Sequence, residues 1–370
     1  MKPAESSVVR RVMFTLGAWL GQLGCCVALA LMLAQVSFAQ PLLVGSKRFT
    51  ESYILGEVVS QVVTAAGHDR VVLKSGLGNT GILLSALRSG EIDLYPEYTG
   101  TGLNAGAALT SHPGVDKLTF TGSTEVGKQI GKAAMDNMTR VTLELGGKSP
   151  TIVLADADLQ VAAAGAASAI FFNQGQVCCA GSRLYVQRKH FDNVVADIAA
   201  IANAMKLGNG LDPSVEMGPL ISARQQARVY GYIEKGRESG ATIACGGEQF
   251  GPGFFVKPTV IVDVDQKHSL VQEEIFGPVL VAMPFDDIDQ AVHLANDNSY
   301  GLGASIWSND MSAVHRMIPR IKSGSVWVNC HSALDPALPF GGHKLSGIGR
   351  EMGGAAIEHY TELKTVMIKL

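Results

Sequence analysis

The chain has 370 residues, of which 47% are hydrophobic and 17% charged, and it contains 42 glycines. This composition excludes a disordered chain, a collagen-like repeat and a small disulfide-rich scaffold, and it indicates a globular α/β protein of roughly two or three domains. Thirty Lys and Arg against 33 Asp and Glu give a net charge of −3, so the charge balance predicts no nucleic-acid partner.

The first predicted element is an apolar leader. Residues 12–46 carry no charged side chain, Arg10 and Arg11 precede them, and the small residues Ser37 and Ala39 end the apolar run. A positive start, an apolar stretch and a small-residue cleavage site are typical of a secretory signal peptide. We therefore expect residues 1–39 to be a signal peptide or, because the apolar run is long, a membrane anchor. This predicts a periplasmic or membrane-anchored protein, and a cytoplasmic one if the leader is not functional.

The next segment alternates strand and helix patterns. Strand-like runs at residues 41–45 and 71–74 alternate with helix-like runs at 51–66 and 80–89, which predicts a parallel sheet. Three runs resemble glycine betaine/choline-binding proteins of ABC importers: VGSKRFTESYILGE at 44–57, SGLGNTGI at 75–82 and GEIDLYPEYTGT at 90–101. The resemblance implies that residues 40–103 form part of one lobe of a periplasmic binding protein.

That resemblance also implies a quaternary ammonium ligand, which such proteins hold by cation–π contact inside an aromatic cage. Tyr98, in the PEYTGT motif, is the position that the resemblance marks as one wall of the cage. A tyrosine at the end of a strand also serves as a packing or capping residue, and one wall does not make a cage. Both interpretations of Tyr98 stay open on the sequence alone.

A glycine-bearing run follows the strand-like residues 118–121. Residues 122–128, GSTEVGK, fit the phosphate-binding pattern GxxxxGK, but a P-loop needs Ser or Thr next to reach magnesium, and Gln129 stands there. The sequence therefore argues against a nucleoside triphosphatase and favours a phosphate contact at a helix N terminus.

Two residues further along could carry chemistry. Cys178 lies in a polar, glycine-bearing turn, directly before a second cysteine, Cys179. Cysteine is most often an inert, buried, small side chain, whereas a nucleophilic thiolate needs a lowered pKa or a nearby base. Glu144 is the candidate base, because it lies between a strand-like run and the turn at residues 146–147, where a carboxylate can reach a cleft.

Five runs, in order, resemble the aldehyde dehydrogenase superfamily: FTGSTEVGK at 120–128, LELGGKSP at 143–150, FFNQGQVC at 171–178, EEIFGP at 273–278 and PFGGHKLSG at 339–347. The resemblance covers residues 104–370 and implies an α/β fold. Its implied parts are an incomplete Rossmann-like NAD domain at 104–143, a catalytic α/β domain at 144–360 and an oligomerisation strand at 361–370. It also implies a homo-oligomer and the oxidation of an aldehyde to a carboxylic acid with NAD or NADP.

The same resemblance implies roles for single residues. Cys178 matches the nucleophile that forms a thiohemiacetal and then a thioester, and Glu144 matches the base that activates water to hydrolyse the thioester. The implied cofactor-binding positions are Gly122, Ser123, Gly146, Glu274 and Phe276, and the implied substrate-pocket positions are Phe172 and Phe340. No metal ligand is implied.

Three further side chains receive lesser roles. Cys179 is interpreted as a neighbour of the pocket, because the motif puts the nucleophile directly after Gly-Gln-Val. His331 is expected on a surface loop or beside the catalytic groups without touching substrate, and Glu351 matches a carboxylate that relays protons in the family.

The sequence departs from the family before Glu144. No aromatic-Pro-Trp-Asn segment, which supplies an oxyanion donor in the family, precedes that residue, and the loss of one such donor costs about 10²–10³-fold in rate. We therefore expect weak activity or none, and open apolar faces at residues 106–143 where partner strands are missing. We interpret the chain as a partial binding-protein lobe fused to a truncated aldehyde dehydrogenase; the alternatives are an exported partial binding component and a non-functional fusion.

Overall fold

The computed structural model describes residues 41–47, 56–61, 64, 70–78, 83, 86–87, 89, 91–92 and 103–369. The predicted leader and Tyr98 lie outside these residues, so the leader and the quaternary-ammonium site stay predictions. Within the described ranges, no helix is both long and apolar enough to span a bilayer. The chain divides into two compact units, Met1–Glu97 and Tyr98–Leu370.

The first unit contains two parallel strands, β1 (Leu42–Lys47) and β2 (Val71–Gly78). Parallel strands need a crossover connection between them, so the pairing that the strand–helix alternation predicted is confirmed. Leu83, Ala86 and Ile92 form a small buried cluster against these strands. The resemblance of this unit to a binding-protein lobe stays a prediction.

The second unit begins with helix α1 (Leu103–Ser111), strand β3 (Lys117–Thr121), helix α2 (Thr124–Asp136) and strand β4 (Arg140–Glu144). Strands β3 and β4 are parallel, because α2 forms the crossover between them. Ser123 caps α2, where its hydroxyl accepts a hydrogen bond from the N–H of Val126 at 3.3 Å. This β3–α2–β4 unit is the Rossmann-like part of the fold.

The expectation of open apolar faces at residues 106–143 is wrong for this sheet. Phe120 and Leu143 are buried against Ile130 of α2. Successive strand residues point to opposite faces, and on the other face the Thr119 hydroxyl lies 2.7 Å from the hydroxyl of Tyr360. The apolar face is therefore covered by α2, whereas Thr119 on the polar face is exposed. The exposed apolar side chains Leu109, Met135 and Met138 lie on or just after the two helices.

A larger sheet of seven strands forms the rest of the unit. Its strands are β5 (Pro150–Val153), β6 (Arg183–Gln187), β7 (Thr242–Cys245), β8 (Thr259–Val262), β9 (Val279–Phe285), β11 (Gly303–Trp307) and β12 (Ser325–Val328). They lie in the order β12-β11-β5-β6-β9-β8-β7, and only β7 runs antiparallel to its neighbour. Ile152 and Val153 point into different cores, one on each face of the sheet. Parallel sheets are covered on both faces, and the predicted α/β class is confirmed.

Helices cover the two faces of the seven-stranded sheet. They are α3 (Leu159–Phe171), α4 (Phe191–Ala204), α5 (Ala223–Glu238), α6 (Ser269–Gln272), α7 (Ile288–Asn296), α8 (Met311–Met317) and α9 (Gly353–Glu358). Three short 3₁₀ turns cover Phe172–Gly175, Arg188–His190 and Ile318–Arg320. Helices α3 and α4 contribute to the core that contains Val153, and α5, α7 and α8 contribute to the core that contains Ile152.

Three short strands complete the second unit: β10 (Tyr300–Gly301), β13 (His343–Lys344) and β14 (Gly347–Ile348). β10 pairs antiparallel with β13, and β14 pairs antiparallel with β4. The β14–β4 pair brings the segment after Phe340 to the strand that ends at Glu144.

The C-terminal segment was predicted to be an oligomerisation strand, and it is not a strand in this single chain. Residues 361–369 belong to no helix or strand of this single chain. Leu363, Val366, Met367 and Ile368 are exposed. Pairing of this segment with a second copy stays a prediction.

Arg183 fixes the start of β6 from inside the protein. The residue is 1% exposed, and its guanidinium donates to the carbonyls of Lys148, Leu294 and Ala295 and to the hydroxyl of Tyr185, at 2.8–3.1 Å. Hydrogen bonds of a buried charged group contribute more to stability than neutral ones. Arg183 therefore holds the turn that follows β4 to the larger sheet.

We expect Arg183→Met to lower the free energy of unfolding by about 3 kcal/mol, since it leaves several buried carbonyl groups without a donor. Chemical denaturation followed by circular dichroism measures the change. Arg188→Met is the matched control, because Arg188 is exposed and pairs only with Asp286 in an exposed salt bridge, which contributes about 0–1 kcal/mol. Equal losses in the two variants would contradict the role of Arg183.

Candidate active site

Glu144 is the last residue of β4 and is buried in the candidate site. It is 5% exposed, and within the described part of the chain neither of its carboxylate oxygens has a hydrogen-bond partner. Burial, and then the negative charge of Glu351, raise the pKa of Glu144 to about 8, against the opposing charge of Arg350. Gly341 lies so close that a Cβ atom there would be 2.7 Å from Oε1 of Glu144. A buried carboxylate with this pKa suits a general base that works near neutral pH.

The turn after Glu144 contacts a second carboxylate. The N–H of Gly147 donates to Oε1 of Glu274 at 3.0 Å. A Cβ atom on Gly146 would collide with the same carboxylate, so only glycine allows this close approach. Burial raises the pKa of Glu274, while the Gly147 hydrogen bond and the positive charge of Lys148 oppose that change. The structure thus brings the predicted residues Gly146 and Glu274 into direct contact.

Cys178 lies on a loop that begins at the C terminus of α3. Three successive residues of this loop, Asn173, Gln174 and Gly175, have left-handed φ values of 49°, 57° and 68°. Such values are uncommon for residues other than glycine and cost free energy, and they concentrate at functional sites. A Cβ atom on Gly147 would collide with the carbonyl oxygen of Cys178. The loop therefore holds Cys178 against the turn that follows Glu144.

The two adjacent thiols differ in exposure and in protonation. Cys179 is 4% exposed, whereas Cys178 is half-buried and is the more exposed residue of the two. A hydrogen bond from the Cys178 thiol lowers the pKa of Cys179 to about 7. The same hydrogen bond raises the pKa of Cys178, together with burial and the charges of Glu274 and Glu144. Both carboxylates thus act on the Cys178 sulfur, which agrees with their grouping around one turn.

The two predicted pocket phenylalanines have different surroundings. Phe340 is partly buried and, like Cys178, packs against a small apolar cluster of Cys179, Leu302 and Trp327. Its backbone exchanges two hydrogen bonds with Glu351, at 2.7 and 2.8 Å, so the two motifs are joined. Phe172 lies at the start of the cysteine loop and is 71% exposed. The structure brings Phe340 to the cysteine and leaves the Phe172 ring free at the surface.

The predicted phosphate-contact residues lie beside Glu144. The N–H of Gly122 donates to the carbonyl of Glu144 at 3.0 Å, and Ser123 caps α2. The first N–H groups of a helix have no partner within the helix and attract anions. The corner between β3 and α2 can therefore hold a phosphate group close to the candidate base.

Sequence analysis missed three residues of α5 that hold the segment with Glu274. Gln225 donates to the carbonyl of Phe276 at 2.8 Å, and Arg228 donates to the carbonyl of Glu274 at 2.6 Å. The guanidinium of Arg228 lies over the ring of Tyr232, 5.3 Å from its centroid. Polar and aromatic residues at helical spacing of three and four are the signal that could have found them. They fix Phe276, whose φ of 60° is unusual for a side chain of its size.

Two more buried charges border the site. Lys148 is 2% exposed, its Nζ has no partner in the described residues, and burial lowers its pKa to about 7. Burial raises the pKa of Glu351, while the positive charge of Lys117 opposes the change. Within the described ranges, no group of three or more His, Cys, Asp or Glu side chains is arranged to hold a metal ion. The site therefore offers a thiol, a buried base and an anion-binding corner around one turn.

Comparison with known proteins identifies relatives of most of this chain. The model of the aldehyde dehydrogenase family matches residues 97–366. The chain is 50% identical over 309 residues to phenylacetaldehyde dehydrogenase of Pseudomonas fluorescens, covering 79% of this chain and 62% of that protein. It is 47% identical over 283 residues to the putative aldehyde dehydrogenase DhaS of Bacillus subtilis, covering 76% of this chain and 57% of that protein. The chain thus spans about three fifths of the length of these relatives.

Solved structures give a similar result. The NAD⁺ complex of an aldehyde dehydrogenase from Bacillus cereus superposes with a TM-score of 0.75 at 42% sequence identity. The match covers 89% of this chain and 69% of that one.

Proposed function

This chain belongs to the aldehyde dehydrogenase family, and from that membership we propose that it oxidises an aldehyde to a carboxylic acid with NAD or NADP. The observation that carries the proposal is the contact of the Gly146-Gly147 turn with both Cys178 and Glu274, directly after the buried Glu144. Nucleophile, base and cofactor-holding carboxylate then surround one small space, as acyl transfer through a covalent intermediate requires.

Cys178 provides the nucleophile in this mechanism. The Cys178 thiol, whose pKa is raised, first gives its proton to water. The thiolate then attacks the aldehyde carbon, a carbon–sulfur bond forms, and the π electrons of the carbonyl move to oxygen to give the thiohemiacetal anion. When bound, NAD or NADP supplies the acceptor for the hydride that this carbon loses. The product on Cys178 is a thioester. Cys178 is the more exposed residue of the pair, which supports its role over that of Cys179.

Glu144 provides the base for the second half. Its carboxylate takes a proton from water as the water oxygen attacks the thioester carbon, and the acid leaves while Cys178 is released as a thiolate. Positioned base assistance of this kind contributes about 10²–10⁴-fold. Because both Glu144 oxygens lack a partner in the described residues, they are free to accept this proton.

The residues present fit a dinucleotide in two places. The corner with Gly122 and Ser123 offers N–H donors for the phosphates. The Glu274 side chain is half-buried and, within the described part of the chain, its carboxylate makes one hydrogen bond, to Gly147, so its other oxygen can accept from a ribose hydroxyl. Gly146 and Phe276 border that carboxylate, on the turn and on its own segment respectively.

An aldehyde with an aromatic ring fits this site best. Phe340 and Cys178 both pack against the cluster formed by Cys179, Leu302 and Trp327, and Phe172, with its exposed ring, begins the cysteine loop. Aromatic rings prefer stacked or edge-to-face contacts with other rings. Phenylacetaldehyde dehydrogenase of Pseudomonas fluorescens is among the most similar relatives, which supports the same choice.

The test is NADH formation by the purified full chain with NAD and either phenylacetaldehyde or acetaldehyde. We expect aldehyde-dependent NADH formation, with the larger kcat/KM for phenylacetaldehyde. Phe340→Ala should lower that preference by about tenfold, because it removes an aromatic contact worth about 1 kcal/mol or more. Absence of NADH formation by a folded protein with either aldehyde and either cofactor would refute the proposed oxidation. The same assay measures whether turnover is low, as the sequence departure before Glu144 predicts.

A further inference from the structure

The segment after β12 is held tightly against the cysteine loop. Asn329 and Ser332 have left-handed φ values of 52° and 54°, which cost free energy and persist only where the surroundings impose them. Asn329 is locked by two hydrogen bonds with the backbone of Ser308, both at 2.9 Å. The Ser332 hydroxyl lies 3.5 Å from the sulfur of Cys179. The contact between this strained segment and the cysteine pair, through Ser332 and Cys179, is therefore fixed in position.

His331 lies between these two strained residues and bridges the loop to the sheet. Its Nε2 is 2.8 Å from the carbonyl oxygen of Cys179, and its Nδ1 is 3.0 Å from the hydroxyl of Ser305. A carbonyl only accepts hydrogen bonds, so Nε2 carries the proton and donates. The ring also packs against Trp327, with centroids 4.9 Å apart.

The far end of this bridge is rigid. Ser305 lies in β11 and Thr151 in β5, their hydroxyl oxygens are 3.3 Å apart, and both residues are fully buried. These two strands are neighbours in the seven-stranded sheet. A chain of polar contacts thus runs from the centre of the sheet to the peptide that follows the cysteine pair, and burial lowers the pKa of His331 so that the ring stays neutral near pH 7.

We propose that His331 is a positioning residue for the candidate nucleophile, fixing the Cys178–Cys179 peptides by its hydrogen bond to the Cys179 carbonyl. The positioning role itself does not depend on the proposed function; only its effect on the rate of aldehyde oxidation does. Cys178 and Cys179 are consecutive residues, so rotation of the peptides around them would change which of the two thiols is exposed. With the Nε2 donor in place, Cys178 is the more exposed residue of the pair.

The test compares His331→Gln with His331→Asn in the full chain. The amide nitrogen of glutamine reaches about as far as Nε2 and keeps the donor to the Cys179 carbonyl, whereas asparagine keeps a polar group only near the Nδ1 position. The readout is the rate of alkylation by iodoacetamide, with the modified sulfur identified by fragmentation mass spectrometry. This measurement needs neither aldehyde nor NAD.

We expect His331→Asn to slow alkylation of Cys178 by about tenfold, since small misplacements of a reacting group cost this much or more, and to shift label toward Cys179. His331→Gln should restore the wild-type rate and site. Equal behaviour of the two variants, or a wild-type pattern in His331→Asn, would overturn the proposal. Circular dichroism confirms that both are folded. If Asn unfolds the chain, Ser305→Ala, which removes the partner of Nδ1 together with the contact to the Thr151 hydroxyl, should slow alkylation of Cys178 as well.

The two proposals fail separately. If the wild-type chain forms no NADH but shows this alkylation pattern, the proposed oxidation is wrong and the positioning role stands. If NADH forms and both variants keep the wild-type kcat, KM and alkylation pattern, the positioning role is wrong and the oxidation stands.

Discussion

Cys178→Ala is expected to abolish aldehyde oxidation, with a loss of at least about 10⁴-fold, because no covalent intermediate can form without the sulfur. The measurement is NADH formation with phenylacetaldehyde, together with the burst of nitrophenol from para-nitrophenyl acetate. The ester assay needs no cofactor, so it reports the nucleophile alone. We expect a burst from the wild-type chain and none from the variant.

Cys179→Ala is the control, because Cys179 is a second thiol next to Cys178 that could act as the nucleophile instead. The hydrogen bond from Cys178 lowers the pKa of Cys179 to about 7, so Cys179 is the readier thiolate by charge alone. Burial argues the other way, because Cys179 is 4% exposed and packs with Leu302 and Trp327. We expect Cys179→Ala to keep the ester burst. A burst that follows Cys179 instead of Cys178 would show that the nucleophile was assigned to the wrong sulfur.

Glu144→Gln is expected to lower steady-state turnover by about 10²–10⁴-fold while leaving acylation of Cys178 intact. The amide cannot take a proton from water, so a thioester should accumulate. Mass spectrometry of the enzyme after mixing with aldehyde and NAD should show the acyl group on Cys178. Glu238→Gln is the matched control, because Glu238 is exposed at the end of α5, and we expect it to behave as the wild type.

The pH dependence of turnover provides a second measurement on Glu144. Its pKa is raised from 4.5 to about 8, so below pH 8 the protonated form dominates in the folded protein and cannot act as a base. Where deacylation limits the rate, turnover should rise by about tenfold for each pH unit up to the pKa and level off above it. A rate that is flat between pH 6 and 8 would contradict the assigned base.

The raised pKa of Glu144 also predicts that the stability of the folded protein falls as the pH rises, whereas turnover rises with pH. Glu144 holds its proton in the folded state up to about pH 8 and loses it from about pH 4.5 in the unfolded chain. The stabilising contribution of the protonated form is present in full below pH 4.5 and is lost as the pH rises toward 8. Glu144→Gln is neutral at every pH and does not lose this contribution. The melting temperature of the variant relative to that of the wild type should therefore be higher at pH 8 than at pH 5, as measured by thermal denaturation.

Several features of the molecule followed from the sequence. Strand and helix patterns predicted parallel pairing of β1 with β2 and the α/β class, since hydrophobic periodicity and turn residues act locally. The five motifs predicted Glu144, Gly146, Cys178 and Glu274 as one site, because each motif carries its chemistry in adjacent residues. The expectation of open apolar faces at residues 106–143 was wrong for strands β3 and β4, since α2 buries Phe120 and Leu143.

The tertiary structure alone decided how those residues are held. Arg228 and Gln225 donate to backbone carbonyls, and no residue type in the sequence identifies a backbone acceptor. For His331, the sequence left two locations open, a surface loop and a position beside the catalytic groups. Its partners are separated from it by 26 and 152 residues, and only the folded sheet brings them within hydrogen-bond distance. The protonation of Glu144 was decided in the same way, because the pKa of a carboxyl group depends on the burial and the charges around it, and distant segments supply both.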